Sequence, residues 1–524
     1  MKISHSFSSH KFSWLLGALC CLFALSAHAA SYNWIGPSGT VSVPTTGSWN
    51  TAANWSGGLP VSSSATELDF SGAAGAGTYT STDNISGVFD LNILGLSGTS
   101  GTGTIAATAG NSLRFASNGG TTPTINLSGN GSYTISAPVE FLNNMTVTGA
   151  TGTTGGMNFT GVVSGAGKLS FNNLGGGALT LSNSNSYSGG TEILKGSFIT
   201  RATGAIGSGS FSIGGNGKWT INNVSQSYSN AITVASTGGT IDTQTTASLS
   251  GDVALGGSLT LRSSTSGAVG TMSGILSGTG SITKNDNTGS WILSKNNSYT
   301  GTTTVGGGTL VISGSTSGQG NYTVNGTSTG SGILSGNGTI GLASAKTLTV
   351  SAATGYVATL GPSDATGTLA SVGTMVVNWA STNGSNKLTL GANSIFAADI
   401  GTLGNSDRLV VGSNSVTGAF DLSSASDTLS LNAITGGFDG SSYIIANYFG
   451  VLSGTFDTLS VNGVTQASNT SFSINGYNYA VSYNVANVNG GYDIVVAVPE
   501  PSTVFLLSGG LLAVALLRKR KIAL

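Results

Sequence analysis

The chain is poor in the residues that carry most protein chemistry. Its 524 residues include two cysteines and three histidines. Cys20, Cys21, His5, His10 and His28 all fall within the first 30 positions. That opening stretch reads as a Sec signal peptide. Lys2 and Lys11 give a weakly basic start, Trp14 to Leu25 form an apolar core, and Ala27-His28-Ala29 before Ala30 fits a small-x-small cleavage site. Cys20 follows Leu19, a poor lipoprotein box, so no lipid anchor is expected. Cleavage at Ala29/Ala30 leaves a mature chain with neither Cys nor His. This excludes disulfides, zinc fingers, haem ligation, cysteine nucleophiles and Ser-His-Asp triads. The expected first partners are the Sec translocon and signal peptidase.

Charge is equally scarce, at 7% of residues against about 25% in an average domain. Of 17 Lys and Arg, two lie in the signal and four at the C-terminal end; of 18 Asp and Glu, one does, Glu500. The 11 basic and 17 acidic residues that remain give a net charge near −6. A nucleic-acid binder needs a basic stripe, and none is present. No Gly-Lys-Ser/Thr phosphate loop follows a matching strand, and no Asp-rich calcium repeat occurs. No cofactor and no metal are expected.

What the chain has in quantity is glycine, 83 residues, with Ser, Thr and Asn alternating with Val, Ile, Leu and Phe. Period-two alternation predicts short strands rather than solvated coil. The middle repeats itself. Leu181-Ser-Asn-Ser-Asn-Ser-Tyr187-Ser-Gly189-Gly-Thr191 through Phe198 aligns without a gap on Leu293-Ser-Lys-Asn-Asn-Ser-Tyr299-Thr-Gly301-Thr-Thr303 through Leu310. A Ser-Gly-x-Gly phrase precedes each copy, within 161–170 and 274–283, and returns within 332–341. Repeats of this kind predict stacked coils of about 20 to 25 residues. Gly and Asn would take the corners that need positive φ. The expected fold is an all-β, right-handed parallel β-helix; an antiparallel sandwich array is the competing architecture. Residues 31–100 lack the repeat rhythm and read as an N-terminal cap. Residues 101–340 read as the solenoid, and 341–497 as its β-rich end and cap.

These repeats resemble the autotransporter-associated β-strand repeat of passenger domains. The first copy keeps Leu179-Thr-Leu181-Ser182 and Tyr187-Ser-Gly-Gly-Thr191, and the second keeps Tyr299-Thr-Gly301 and Gly308-Thr-Leu310. The head phrase Trp49-Asn-Thr-Ala-Ala-Asn-Trp55 is also usual in such proteins. True autotransporters end in an outer-membrane barrel; here the chain ends otherwise, so no secretion through a barrel of its own is expected.

The end of the chain, 498–524, is Pro499-Glu500-Pro501, an apolar run from Val504 to Leu517, and the basic cluster Arg518-Lys519-Arg520-Lys521. The prolines keep the backbone out of a helix up to Pro501. The run would span about 21 Å as a helix, short for a permanent membrane span. The basic cluster would hold its end in the cytoplasm. This order resembles the PEP-CTERM sorting signal. The resemblance implies a single short transmembrane helix as a transient inner-membrane anchor, processing by an exosortase, and delivery to the cell surface or beyond.

Candidate chemistry is thin. Glu67 and Asp69 lie two apart on a strand and share a face, as a glycosidase pair could. Asp407-Arg408 could be an ion pair or a solvated turn; a similar Asp-Arg-Leu phrase is usual in the passengers this chain resembles, which implies a structural corner. Trp34, Trp49 and Trp55 could stack on sugars but suit packing better. A flat Thr-x-Thr array could bind ice or crystalline polysaccharide, but Thr45-Thr46 and Thr302-Thr303-Thr304 show no regular spacing. The resulting expectation is a non-enzymatic exported protein with a structural or adhesive role and an exopolysaccharide or surface matrix as partner. A polysaccharide-active β-helix enzyme, or a carbohydrate- or ice-binding module, is the alternative.

Overall fold

The computed structural model describes residues 30–499, except 38–39, 41–43, 72–76, 287, 328–329 and 364–370. The described residues are all-β save one short 3-10 turn, Ala52–Asn54. They form two compact units. The first runs to Leu179 and includes Asn185–Gly189; the second holds Thr180–Ser184 and everything from Gly190 on.

In the first unit each strand pairs in parallel with the equivalent strand one coil further on. One ladder runs from Ala30–Trp34 through Thr66–Phe70, Ile93–Leu96, Thr124–Leu127 and Met145–Gly149 to Leu169–Asn173. A second runs from Gly47–Ser48 to Met157–Phe159, and a third from Val88–Leu91 to Val163–Gly165. The head segment, which has no visible repeat, already belongs to these ladders. Val88–Leu91 and Ile93–Leu96 are separate strands: the chain turns at Asn92, whose buried amide donates to Ala116 O at 2.8 Å. The outer edge is closed by Trp55–Ser56, which pairs antiparallel with the first strand.

The second unit follows the same rule. Its longest ladder carries Ser197–Thr200, Lys218–Ile221, Gly239–Thr243, Leu259–Arg262, Ile282–Lys284, Thr303–Val305, Tyr322–Val324, Thr347–Val350, Lys387–Leu390, Ala419–Leu422 and Leu452–Gly454. This is a stacked parallel solenoid. In the ladder that reaches Tyr443–Tyr448 parallel pairing stops there, and Tyr492–Ala497 and then Tyr477–Ala486 add antiparallel.

The core is built of inward columns. Leu259, Ile282, Thr303, Tyr322, Leu348, Leu388 and Phe420 stack in register, and all are buried. Each large apolar side chain so buried contributes about 1.5–3 kcal/mol, with no disulfide needed. The neighbouring column, Ile241, Leu261, Lys284, Val305, Val324, Val350 and Leu390, has one charged member.

Candidate functional site

The repeated phrases turn out to be devices for stacking one coil on the next. Asn185 is buried and its Oδ1 accepts Val163 N at 2.8 Å; Asn297, the matching residue, accepts Leu276 N at 2.9 Å. Each side chain thus replaces a strand partner where the chain turns. Tyr187 and Tyr299, two residues on, are fully buried. Tyr187 packs edge-on to Phe141 at 5.5 Å, and Tyr299 OH lies 2.7 Å from Thr303 Oγ1. The glycines are needed for close approach. A Cβ on Gly165, Gly278 or Gly336 would collide with the carbonyl of Phe141, Leu255 or Ile312, and all three hold positive φ, 105°, 102° and 117°. The sequence phrase Ser-Gly-x-Gly is therefore one corner built three times.

Two of the acidic candidates, Asp69 and Asp407, are engaged in local hydrogen bonds. Glu67 and Asp69 share the outer face of Thr66–Phe70, and Asp69 Oδ1 accepts Ser97 Oγ at 2.9 Å. Asp407 lies buried beneath a turn. Its Oδ1 accepts Gly373 N at 2.7 Å and its Oδ2 accepts Asp399 N at 3.1 Å. Burial raises its carboxyl to about 6 despite these amides. Arg408 points away and lines a polar groove of about 590 Å³ with Asn337, Gly373, Asn405, Ser406 and Ser442. Trp34, Trp49 and Trp55 are buried against one another and against Phe70 and Phe89, at ring distances of 5.0 to 6.4 Å. They serve as packing, and none presents a face to a sugar.

Two arrangements escaped the sequence. The first is a buried ion pair: Lys284 Nζ lies 2.7 Å from Asp286 Oδ1, with the side chains 0% and 4% exposed. Asp286 also accepts the amides of Ser263 and Thr288, and Lys284 donates to Gly307 O at 3.3 Å. Burial lowers the lysine below its ordinary value. In the first copy of the Ser-Gly-x-Gly phrase the matching position holds Phe171, so no pattern announced a charge there. The second is a column of threonines. Thr240, Thr260, Thr283, Thr304, Thr323, Thr349 and Thr389 occupy one outward position on seven successive strands. Their separations of 20, 23, 21, 19, 26 and 40 residues hide the array in the sequence.

Of the processing residues, Ala30 begins the first strand. Pro499 follows the last strand by one residue, Val498. Ala29, Glu500, Pro501, Arg518, Lys519, Arg520, Lys521 and the run 504–517 lie outside the described residues. Among the described residues no helix is long and apolar enough to cross a membrane.

Comparison with known families agrees with the two resemblances. Residues 174–198 and 282–312 match the passenger-associated transport repeat. These segments contain both Asn-x-Tyr turns and the Gly308-Thr-Leu strand. Residues 497–521 match the PEP-CTERM protein-sorting motif. No curated protein matches the chain. The motif implies recognition by exosortase-type sorting machinery, and the two matches together imply an exported cell-surface or extracellular protein.

Proposed function

We propose that this chain, with its two passenger-associated transport repeats and its PEP-CTERM sorting motif, is a non-enzymatic surface or matrix protein with a structural and adhesive role. The solenoid is right-handed, as parallel crossovers overwhelmingly are. Residues 31–100 lead the ladders of the first unit, whose outer edge Trp55–Ser56 caps, and the antiparallel strands cap the end of the second. The segment 504–517 holds the exported chain in the inner membrane as a short helix until an exosortase acts near Pro499-Glu500-Pro501. The partner outside is matrix polysaccharide.

The observation that carries this reading is the junction. The sorting motif starts at Ala497, the last residue of the last strand. The whole folded body therefore precedes the tail, with nothing but Val498 between strand and Pro499. The non-enzymatic part is supported by where the acids are. Asp407 accepts backbone amides with both oxygens, and Glu67 and Asp69 sit on a half-buried strand face where Asp69 holds Ser97.

The test is intact mass and fractionation of the native protein beside Glu500→Ala. Wild type should lose its last 20-odd residues (Glu500 lies 24 from the end) and leave the inner membrane, while the variant stays uncut and retained. Tail retention in both would refute the sorting reading.

A further inference from the structure

Seven threonines in register on one outward face of the second unit ask for an explanation beyond folding. Threonine suits strands, and Thr–Thr pairs stabilise them. That preference alone does not yield the column. On another ladder of the same unit the outward column reads Ser290, Thr309, Ile333, Thr359, Ile395, Thr428, Thr458. There isoleucine meets the same backbone demand. In the threonine column no other residue type enters over seven rungs.

Five of the seven positions two residues earlier are uncharged and polar, Ser258, Ser281, Thr302, Asn321 and Thr347; the outer two are Gly238 and Lys387. Thr302 Oγ1 donates to Ser281 Oγ at 3.2 Å, which ties neighbouring rungs of this flanking column. Charge stands beside the threonine column rather than in it: exposed Arg262 lies two residues beyond Thr260 on the same face, and Lys387 two residues before Thr389. Lys218 precedes the column and Asp421 follows it. Lys218 is paired with Asp242 at 2.7 Å, and Asp421 with Lys387 at 2.6 Å. The seven column positions themselves carry hydroxyls and no charge.

We infer that this face binds an uncharged polysaccharide presented as an ordered array of chains, through hydrogen bonds between threonine hydroxyls and sugar hydroxyls. Adjacent rungs are about 4.8 Å apart, so seven cover about 29 Å. Threonine is stiff at χ1, which fixes the hydroxyls before the ligand arrives. Little ordering entropy remains to oppose binding. Each contact is weak, and a rigid repeat of them gains by avidity what single contacts lack. The inference rests on the surface-protein reading above for the polymer's presence, and the face itself can be tested apart from sorting.

The experiment uses purified exported protein and measures its depletion from solution by suspended microcrystalline cellulose, crystalline chitin and ice. Adsorption to cellulose or chitin is expected, insensitive to added salt. It should weaken about ten-fold or more in Thr283→Lys/Thr323→Lys and remain unchanged in Thr359→Lys/Thr428→Lys on the other ladder. Thr283→Val/Thr323→Val keeps the side-chain shape and removes only the hydroxyls, so it should bind weakly while melting like wild type. Failure to adsorb to either polysaccharide overturns the inference. So does adsorption to ice alone, loss of adsorption in salt, or equal loss in the two lysine pairs. A tail that is never cut would refute the sorting reading and leave these results standing.

Discussion

Asp286→Ala isolates the cost of a buried, unpaired ammonium. In the native protein Lys284 is fully enclosed, 2.7 Å from Asp286, with one other acceptor, Gly307 O, at 3.3 Å. Removing the carboxylate leaves a charge in a column of Leu261 and Val305. Breaking a buried pair in this way costs about 3–5 kcal/mol. Lys284→Met should cost less, about 1–3 kcal/mol, because Asp286 keeps the Ser263 and Thr288 amides. The double variant should be more stable than Asp286→Ala alone, since the two changes share one interaction. The pH dependence has a definite sign. Burial already holds Lys284 below its ordinary value, and Asp286 opposes that fall. Without Asp286 the native lysine loses its proton at a still lower pH than the unfolded chain does. Between those two values the unfolded state binds more protons, so stability rises with pH. The cost of Asp286→Ala should therefore shrink from pH 7 toward pH 10. Urea unfolding followed by tryptophan fluorescence suits the measurement, because Trp291 is buried and donates to Arg262 O in the same region. A cost below about 1 kcal/mol at pH 7, or one that grows with pH, would refute the reasoning.

Three further outcomes can be checked in the same protein. Asn297→Ala should destabilise by about 1–3 kcal/mol by leaving Leu276 N unpaired, and Asn185→Ala should do the same through Val163 N; urea midpoints of the two variants test the equivalence. Gly278→Ala should cut the yield of folded exported protein sharply, because its φ of 102° and the Leu255 carbonyl leave no room for a Cβ; wild-type yield would contradict this. Burial raises Asp83 to about 6, and its Oδ1 accepts Ile85 N at 3.0 Å. The native state holds that proton more tightly than the unfolded chain, so this group lowers stability as pH climbs from about 4 to 6. Asp83→Asn keeps the acceptor and should flatten that fall in melting temperature; an unchanged slope would count against it.

Much of the organisation is legible in the residues. Asn185, Tyr187, Gly189 and Thr191 recur as Asn297, Tyr299, Gly301 and Thr303, and each pair plays one structural part. The pattern is readable because every coil must solve the same corner. The head segment was less legible: its strands pair in the same ladders, but the loops between them vary in length and blur the period. Lys284 was invisible because its counterpart Phe171 is an ordinary core residue, and only the fold brings Asp286, Ser263 and Gly307 around it. The Trp34, Trp49 and Trp55 cluster could be guessed as packing but not located without its partners Phe70 and Phe89.

The sequence by itself determined the class of protein. Alternating Thr, Val and Leu with glycine at fixed phrases dictates short strands with sharp corners, and it left a parallel helix and an antiparallel array both open. The absence of Cys and His after residue 30, the basic end and Pro499-Glu500-Pro501 are statements of composition and order, which need no coordinates. The tertiary structure decided what depends on register. Coil lengths from 19 to 40 residues place Thr240 to Thr389 in one straight column that no count along the chain reveals. A face of a solenoid is assembled one residue per coil, so its chemistry exists only once the coils are stacked.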